Sequence, residues 1–93
     1  MSKFSLIKVT KAEPIGGHRL RLRFSDGSIG ERDFAGIVNG NGPMLEPLRD
    51  PAYFARVFID FGTPTWPNGY DLAPNALHVE MSDTGLLRHA AEA

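Results

Sequence analysis

There is no cysteine in the chain, which excludes a disulfide framework, a thiolate nucleophile and a cysteine-based zinc site, and suits a reducing compartment. Long apolar runs are missing too: nothing approaches the roughly 20 residues of a membrane span. Met1-Ser2-Lys3-Phe4 is not followed by an apolar core of signal-peptide length. The expectation is a cytoplasmic protein that contacts no membrane. An excess of one charge is absent as well, with 10 Lys+Arg against 11 Asp+Glu and a formal net charge of -1. That balance argues against a dedicated nucleic-acid binder with a strongly basic surface. It leaves room for a local patch, because residues 1–33 hold seven basic and four acidic residues while the remainder holds three and seven.

Chemistry is sparse. His18, His78 and His89 lie far apart with no His-x-x-x-His spacing or carboxylate cluster, so no metal site is expected. The Gly36 to Gly42 stretch lacks the lysine and Ser/Thr of a phosphate-binding loop, and no serine sits in a nucleophile elbow. The chain is therefore expected to be a binding module rather than an enzyme, without catalytic residues or cofactor.

What is present is enough for one core. A chain of 93 residues with 42% hydrophobic side chains makes a single domain. Its clearest signal is Arg19-Leu20-Arg21-Leu22-Arg23-Phe24, a strict alternation of period two that reads as a half-buried strand entering a turn at Ser25-Asp26-Gly27-Ser28. A two-residue Asp26-Gly27 loop would pair Leu20 with Asp33 and Leu22 with Glu31, placing carboxylates on the apolar face. A three-residue loop, with Gly27 in the left-handed conformation, instead pairs Leu20 with Arg32 and Leu22 with Gly30. On the other face it sets Arg21 across from Glu31 and Arg19 across from Asp33. Arg19, Arg21 and Arg23 are candidates for anion or nucleic-acid contact. The competing reading is a solvated sheet face whose charges its own hairpin largely neutralises, with Arg23 the least compensated.

Ser5 to Pro14 reads as a preceding strand, completing an antiparallel three-stranded meander. A loop with short helical turns follows Phe34. Asp50 is placed as N-cap and Pro51 as first residue of a helical turn. Arg56 to Phe61, β-branched and aromatic, reads as a well-buried strand of a later hairpin. Pro74 suits the start of a further helical turn. The fold class is thus α+β, a small antiparallel sheet with one to three short helical turns. Residues 1–81 form the domain, and residues 82–93, where Thr84-Gly85 and the Ala-rich end offer little apolar surface to dock, form a flexible tail.

Trp66-Pro67-Asn68-Gly69-Tyr70-Asp71 encodes a tight turn, since Pro67 fixes its own φ and Asn68-Gly69 tolerate positive φ. Two readings stay open. In one, Trp66 packs over the core, Asn68 bonds local backbone and Asp71 caps the turn or the next helix. In the other, Trp66, Asn68, Tyr70 and Asp71 form an exposed surface for a partner.

Together, Phe24-Ser25-Asp26-Gly27, Asp33-Phe34, Leu48-Arg49-Asp50 with Phe54, Trp66-Pro67-Asn68-Gly69 and Asp71-Leu72-Ala73-Pro74 resemble the bacterial domain of unknown function 2442 family over about residues 6 to 80. His78 departs from its pattern, which carries tyrosine there. The resemblance implies a small α+β domain, sometimes joined to a helix-turn-helix, which is not read in these residues. It also implies a small protein partner encoded nearby, in a toxin–antitoxin-like or accessory pair. The leading expectation is a protein-binding regulatory module acting through the Trp66 turn or a sheet edge, which also leaves room for a homo-oligomer. The alternative is nucleic-acid binding through Arg19, Arg21 and Arg23.

Overall fold

The computed structural model describes residues 7–89; Ser5 and Leu6, assigned above to the first strand, lie outside them. Three strands follow one another as an antiparallel meander, β1 Val9–Pro14, β2 Arg19–Phe24 and β3 Ser28–Asp33. The three-residue loop is the one that forms, with Gly27 at φ 90° and its N–H donating to the Phe24 carbonyl at 2.9 Å. Leu20 lies opposite Arg32, Leu22 opposite Gly30, Arg21 opposite Glu31 and Arg19 opposite Asp33, as the facing pattern requires. Leu20, Leu22 and Phe24 are buried and the three arginines are exposed.

Burying one face of this sheet takes the rest of the chain. A short helix α1, Ala35–Val38, is followed by 3-10 turns at Pro43–Leu45 and Pro47–Arg49 and by helix α2, Pro51–Phe54. Asp50 caps α2 as expected, its carboxylate accepting from the Ala52 N–H at 3.0 Å with Pro51 in the first turn. A two-stranded ribbon, β4 Phe58–Asp60 and β5 Thr63–Thr65, then leads to helix α3, Pro74–Asp83. Phe34, Val38, Leu48, Phe54 and Trp66, with Leu77 and Met81 one turn apart on α3, close the core against Val9, Leu20, Leu22 and Phe24. Arg32 points to this side without breaking it, because its guanidinium lies over the Phe34 ring at 4.6 Å and reaches Glu80 of α3 at 2.7 Å.

Two expectations are corrected. The chain does not loosen at Ser82. Helix α3 runs to Asp83 and ends in a Schellman motif, in which the Leu86 N–H donates to the Met81 carbonyl at 2.9 Å and the Gly85 N–H to that of Ser82 at 3.2 Å, with Gly85 at φ 75°. Thr84-Gly85 is therefore a helix stop that turns the chain back onto the sheet. There a fourth strand, β6 Arg88–His89, pairs with β3; residues 90–93 lie outside the described residues. The second correction concerns Arg56 to Phe61. Only Phe58–Asp60 form a strand, and Phe58 is 47% and Phe61 94% exposed. The ribbon turns Ile59 and its partner Pro64 towards the core and leaves Phe58 and the tip in water, so an aromatic run alone does not place a strand inside.

The C-terminal return depends on a missing side chain. A Cβ on Gly30 would stand 2.5 Å from the Leu86 carbonyl oxygen, 2.9 Å from the Met81 methyl and 3.0 Å from Leu87 Cδ2. Backbone cannot yield as a flexible side chain does, so Gly30→Ala is expected to cost about 1–3 kcal/mol. Urea unfolding checks this; an unchanged midpoint would show that the return onto β3 contributes nothing.

Candidate functional site

Trp66 is a core residue. It is 1% exposed, its indole N–H donates to the Phe54 carbonyl at 2.8 Å, and its ring lies 5.3 Å from that of Phe54. The architectural reading of the turn thus holds for the tryptophan, which offers no ring to a partner. Around it, the Trp66 N–H donates to the Tyr70 carbonyl at 2.9 Å and the Gly69 N–H to that of Trp66 at 2.8 Å. Asn68 bonds local backbone through Oδ1, which accepts from the Tyr70 N–H at 3.1 Å. Its amide also spans to the Met44 carbonyl at 3.0 Å, tying the turn to the first 3-10 segment. Tyr70 is half-buried, 6.0 Å from Trp66. Asp71 is exposed and bridges Thr65 through backbone. The N-cap of α3 is Ala73, without a side-chain cap, so the helix-capping role assigned to Asp71 does not form.

The outer face of the sheet divides the three arginines. Arg21 bonds Glu31 at 2.9 Å and reaches Glu13 at 3.4 Å, and its guanidinium pKa is raised by the hydrogen bond and charge of Glu31. Arg19 pairs with Glu31 at 3.5 Å rather than with Asp33, its neighbour in register. Asp33 instead accepts from the Ala35 N–H at 2.9 Å and starts α1. Arg23 has no ion-pair partner among the described residues. A groove beside it is lined by Lys11, Glu13, Arg21, Arg23 and Ile29.

One cluster escapes sequence reading because its members are distant in the chain. Asp26 of the β2–β3 turn accepts from the Ser28 hydroxyl at 2.6 Å, the Ser28 N–H at 3.0 Å and His78 Nε2 of α3 at 2.9 Å. The residue types are those of a hydrolytic triad, but the wiring is not: the buried serine donates to the carboxylate and not to the imidazole. Among the described residues no group of three or more His, Asp or Glu could hold a metal ion. His18 Nε2 donates to the Arg49 carbonyl at 2.9 Å. No helix among the described residues is long and apolar enough to cross a membrane.

A family model described as a protein of unknown function, DUF2442, matches residues 9–90. The chain belongs to this family. A solved structure from Nitrosomonas europaea, described as a putative DNA-binding protein, is 29% identical with a TM-score of 0.70. The match covers 91% of this chain and 56% of that one. Curated proteins give no match. The DUF2442 turn thus has a firm structural meaning, while no activity comes with the family description.

Partial burial pushes the Asp26 pKa up, but the Ser28 hydrogen bonds and His78 outweigh it and hold the carboxyl at about 2, against an ordinary 3.8. A lowered folded-state value means the contribution to stability is fully present above about pH 3.8 and is lost as pH falls towards 2. Asp26→Asn should therefore flatten the decline of stability across that window. Chemical denaturation at a series of acid pH values tests it, and an identical decline in the variant would exclude Asp26 as its source.

Proposed function

We propose that this domain is a non-catalytic regulatory accessory module of the bacterial cytoplasm, which works by holding a small protein encoded beside it in a toxin–antitoxin-like pair. One observation carries the reading: the tip of the β4–β5 ribbon. Asp60 pairs with Thr63, leaving a two-residue loop of Phe61 and Gly62 with φ 50° and 82°, the signs of a type I′ turn. Asn-Gly is the sequence such a turn favours. A phenylalanine there carries a backbone penalty on the order of 1–2 kcal/mol while 94% of its surface faces water. Neither folding nor solubility benefits from that choice, and strain of this kind is a pointer to function.

The tip is held in place. The Gly62 carbonyl accepts from the Val9 N–H at 2.8 Å, and Gly62 packs so closely on Lys8 that a Cβ would meet its side chain at 2.8 Å. With the backbone held, only the side-chain rotamers of this exposed aromatic remain to be ordered when it enters a partner's pocket as an anchor. Phe58, on the exposed side of the same ribbon, widens the apolar surface. The partner-binding role first sought in Trp66, Asn68, Tyr70 and Asp71 is accordingly proposed for Phe61 and Phe58.

A second reading is contact with DNA. It is favoured by the description of the Nitrosomonas europaea relative and by the uncovered, arginine-bearing face of the sheet.

The leading reading makes stability and function move in opposite directions. Phe61→Asn relieves the turn and is expected to raise stability by about 1 kcal/mol while removing partner binding. Co-expression with the neighbouring small protein, followed by size exclusion, should give one complex for the wild type and two separate peaks for the variant. Two peaks for the wild type would end the proposal.

A further inference from the structure

We infer that the outer sheet face carries a phosphate-backbone contact site for nucleic acid, formed by Lys11, Arg23 and Arg88. The inference rests on the second reading above and gives it a location and a mode. Register places Lys11 beside Arg23, Arg23 beside Ile29 and Ile29 beside Arg88. One row crossing all four strands therefore carries three cations around a half-buried isoleucine. At a strand spacing of about 4.8 Å the row is roughly 14 Å long. The next row holds the carboxylates, and these are engaged: Glu31 with Arg19 and Arg21, Glu13 with Arg21. Lys11, Arg23 and Arg88 have no ion-pair partner among the described residues.

Like charges directly opposite one another destabilise a strand pair. Lys11 against Arg23 is such a pair, and an anion lying across the row removes the cost. Two features select a polyanion over a single small anion or a base-reading contact. The cations are spread over three strand spacings, farther than one small anion reaches, with the groove lined by Lys11, Glu13, Arg21, Arg23 and Ile29 beside them. No aromatic side chain stands on the outward positions of β1, β2, β3 or β6, so bases have nothing to stack on. What remains is recognition of backbone phosphates, independent of base sequence. Arg19 and Arg21, the more conspicuous arginines in the sequence, take no part.

The test is fluorescence anisotropy of a labelled mixed-sequence DNA duplex titrated with the full chain across a salt series. Three phosphate contacts predict a slope of log K against log salt of about -3, reduced by about one in Arg23→Ala. Arg23→Glu and Arg88→Glu should each weaken low-salt binding about tenfold or more, and Arg19→Gln should leave it within about twofold. Circular dichroism on these outward-facing variants keeps a folding defect from passing as a binding one. DNA binding that survives both charge reversals but is lost in Arg19→Gln would overturn the row while leaving the DNA reading intact. No binding at low salt would end that reading itself. Equal binding of polyglutamate would overturn the assignment to nucleic acid in favour of an acidic protein.

Discussion

The indole N–H of Trp66 donating to the Phe54 carbonyl is the bond on which the rest of this small domain depends. It joins the end of α2 to the loop after β5. Phe34 and Phe54, 6.1 Å apart, continue the aromatic contact from Trp66 towards the meander. Removing the donor would leave the Phe54 carbonyl with only the longer bond from the Val57 N–H, at 3.3 Å, a loss of about 0.5–1.5 kcal/mol for the bond itself in a domain whose whole stability is on the order of 10 kcal/mol. The surrounding turn exists to hold this ring: Pro67, Asn68 and Gly69 fix the backbone, and the Asn68 amide clamps it to Met44.

With the tryptophan inside, the surface has to supply whatever the protein binds with. Two places stand out for opposite reasons. The ribbon tip sets an apolar ring in water on a strained backbone, whereas the outer sheet row sets like charges side by side. Each is unfavourable in the isolated chain, and the molecule that would cover the ring differs in kind from the one that would neutralise the row. They lie on different elements, the β4–β5 ribbon and the four-stranded sheet, joined where the Val9 N–H of β1 donates to the Gly62 carbonyl.

Much of the fold was legible from residues alone, and the reasons are local. The register of β2 and β3 follows from turn length and from the need to keep Asp33 and Glu31 off the apolar face. The caps at Asp50-Pro51 and the start of α3 at Pro74 follow from backbone chemistry. Family membership was legible as well, because the Trp-Pro-Asn-Gly turn and Asp-Leu-x-Pro segment are unusual together. The losses arise where meaning is set by distant partners. Trp66 has the same composition whether it faces core or solvent. Thr84-Gly85 has the same composition as a tail or as a helix stop, and only Gly30, far upstream, makes room for the return. The Phe58 to Phe61 run looked buried because its residues are apolar, while the ribbon that carries it turns Ile59 and Pro64 to the core and leaves Phe58 and Phe61 in water. Arg88 joins Lys11 and Arg23 only through the pairing of β6 with β3, which no local pattern announces.

That last pairing has a consequence for the order of assembly. The β1–β3 meander is made of contacts close in sequence, which form quickly, whereas β6 must close a long loop before it gains anything. During synthesis the meander emerges first, with the β3 edge bare and Gly30 leaving a notch in its apolar face. An unpaired edge is a template for any strand that meets it. The two residues of β6, with Leu86 and Leu87 seated over the notch, act as a late seal, and the interval before they arrive is when the nascent chain is most exposed to pairing with another copy of itself.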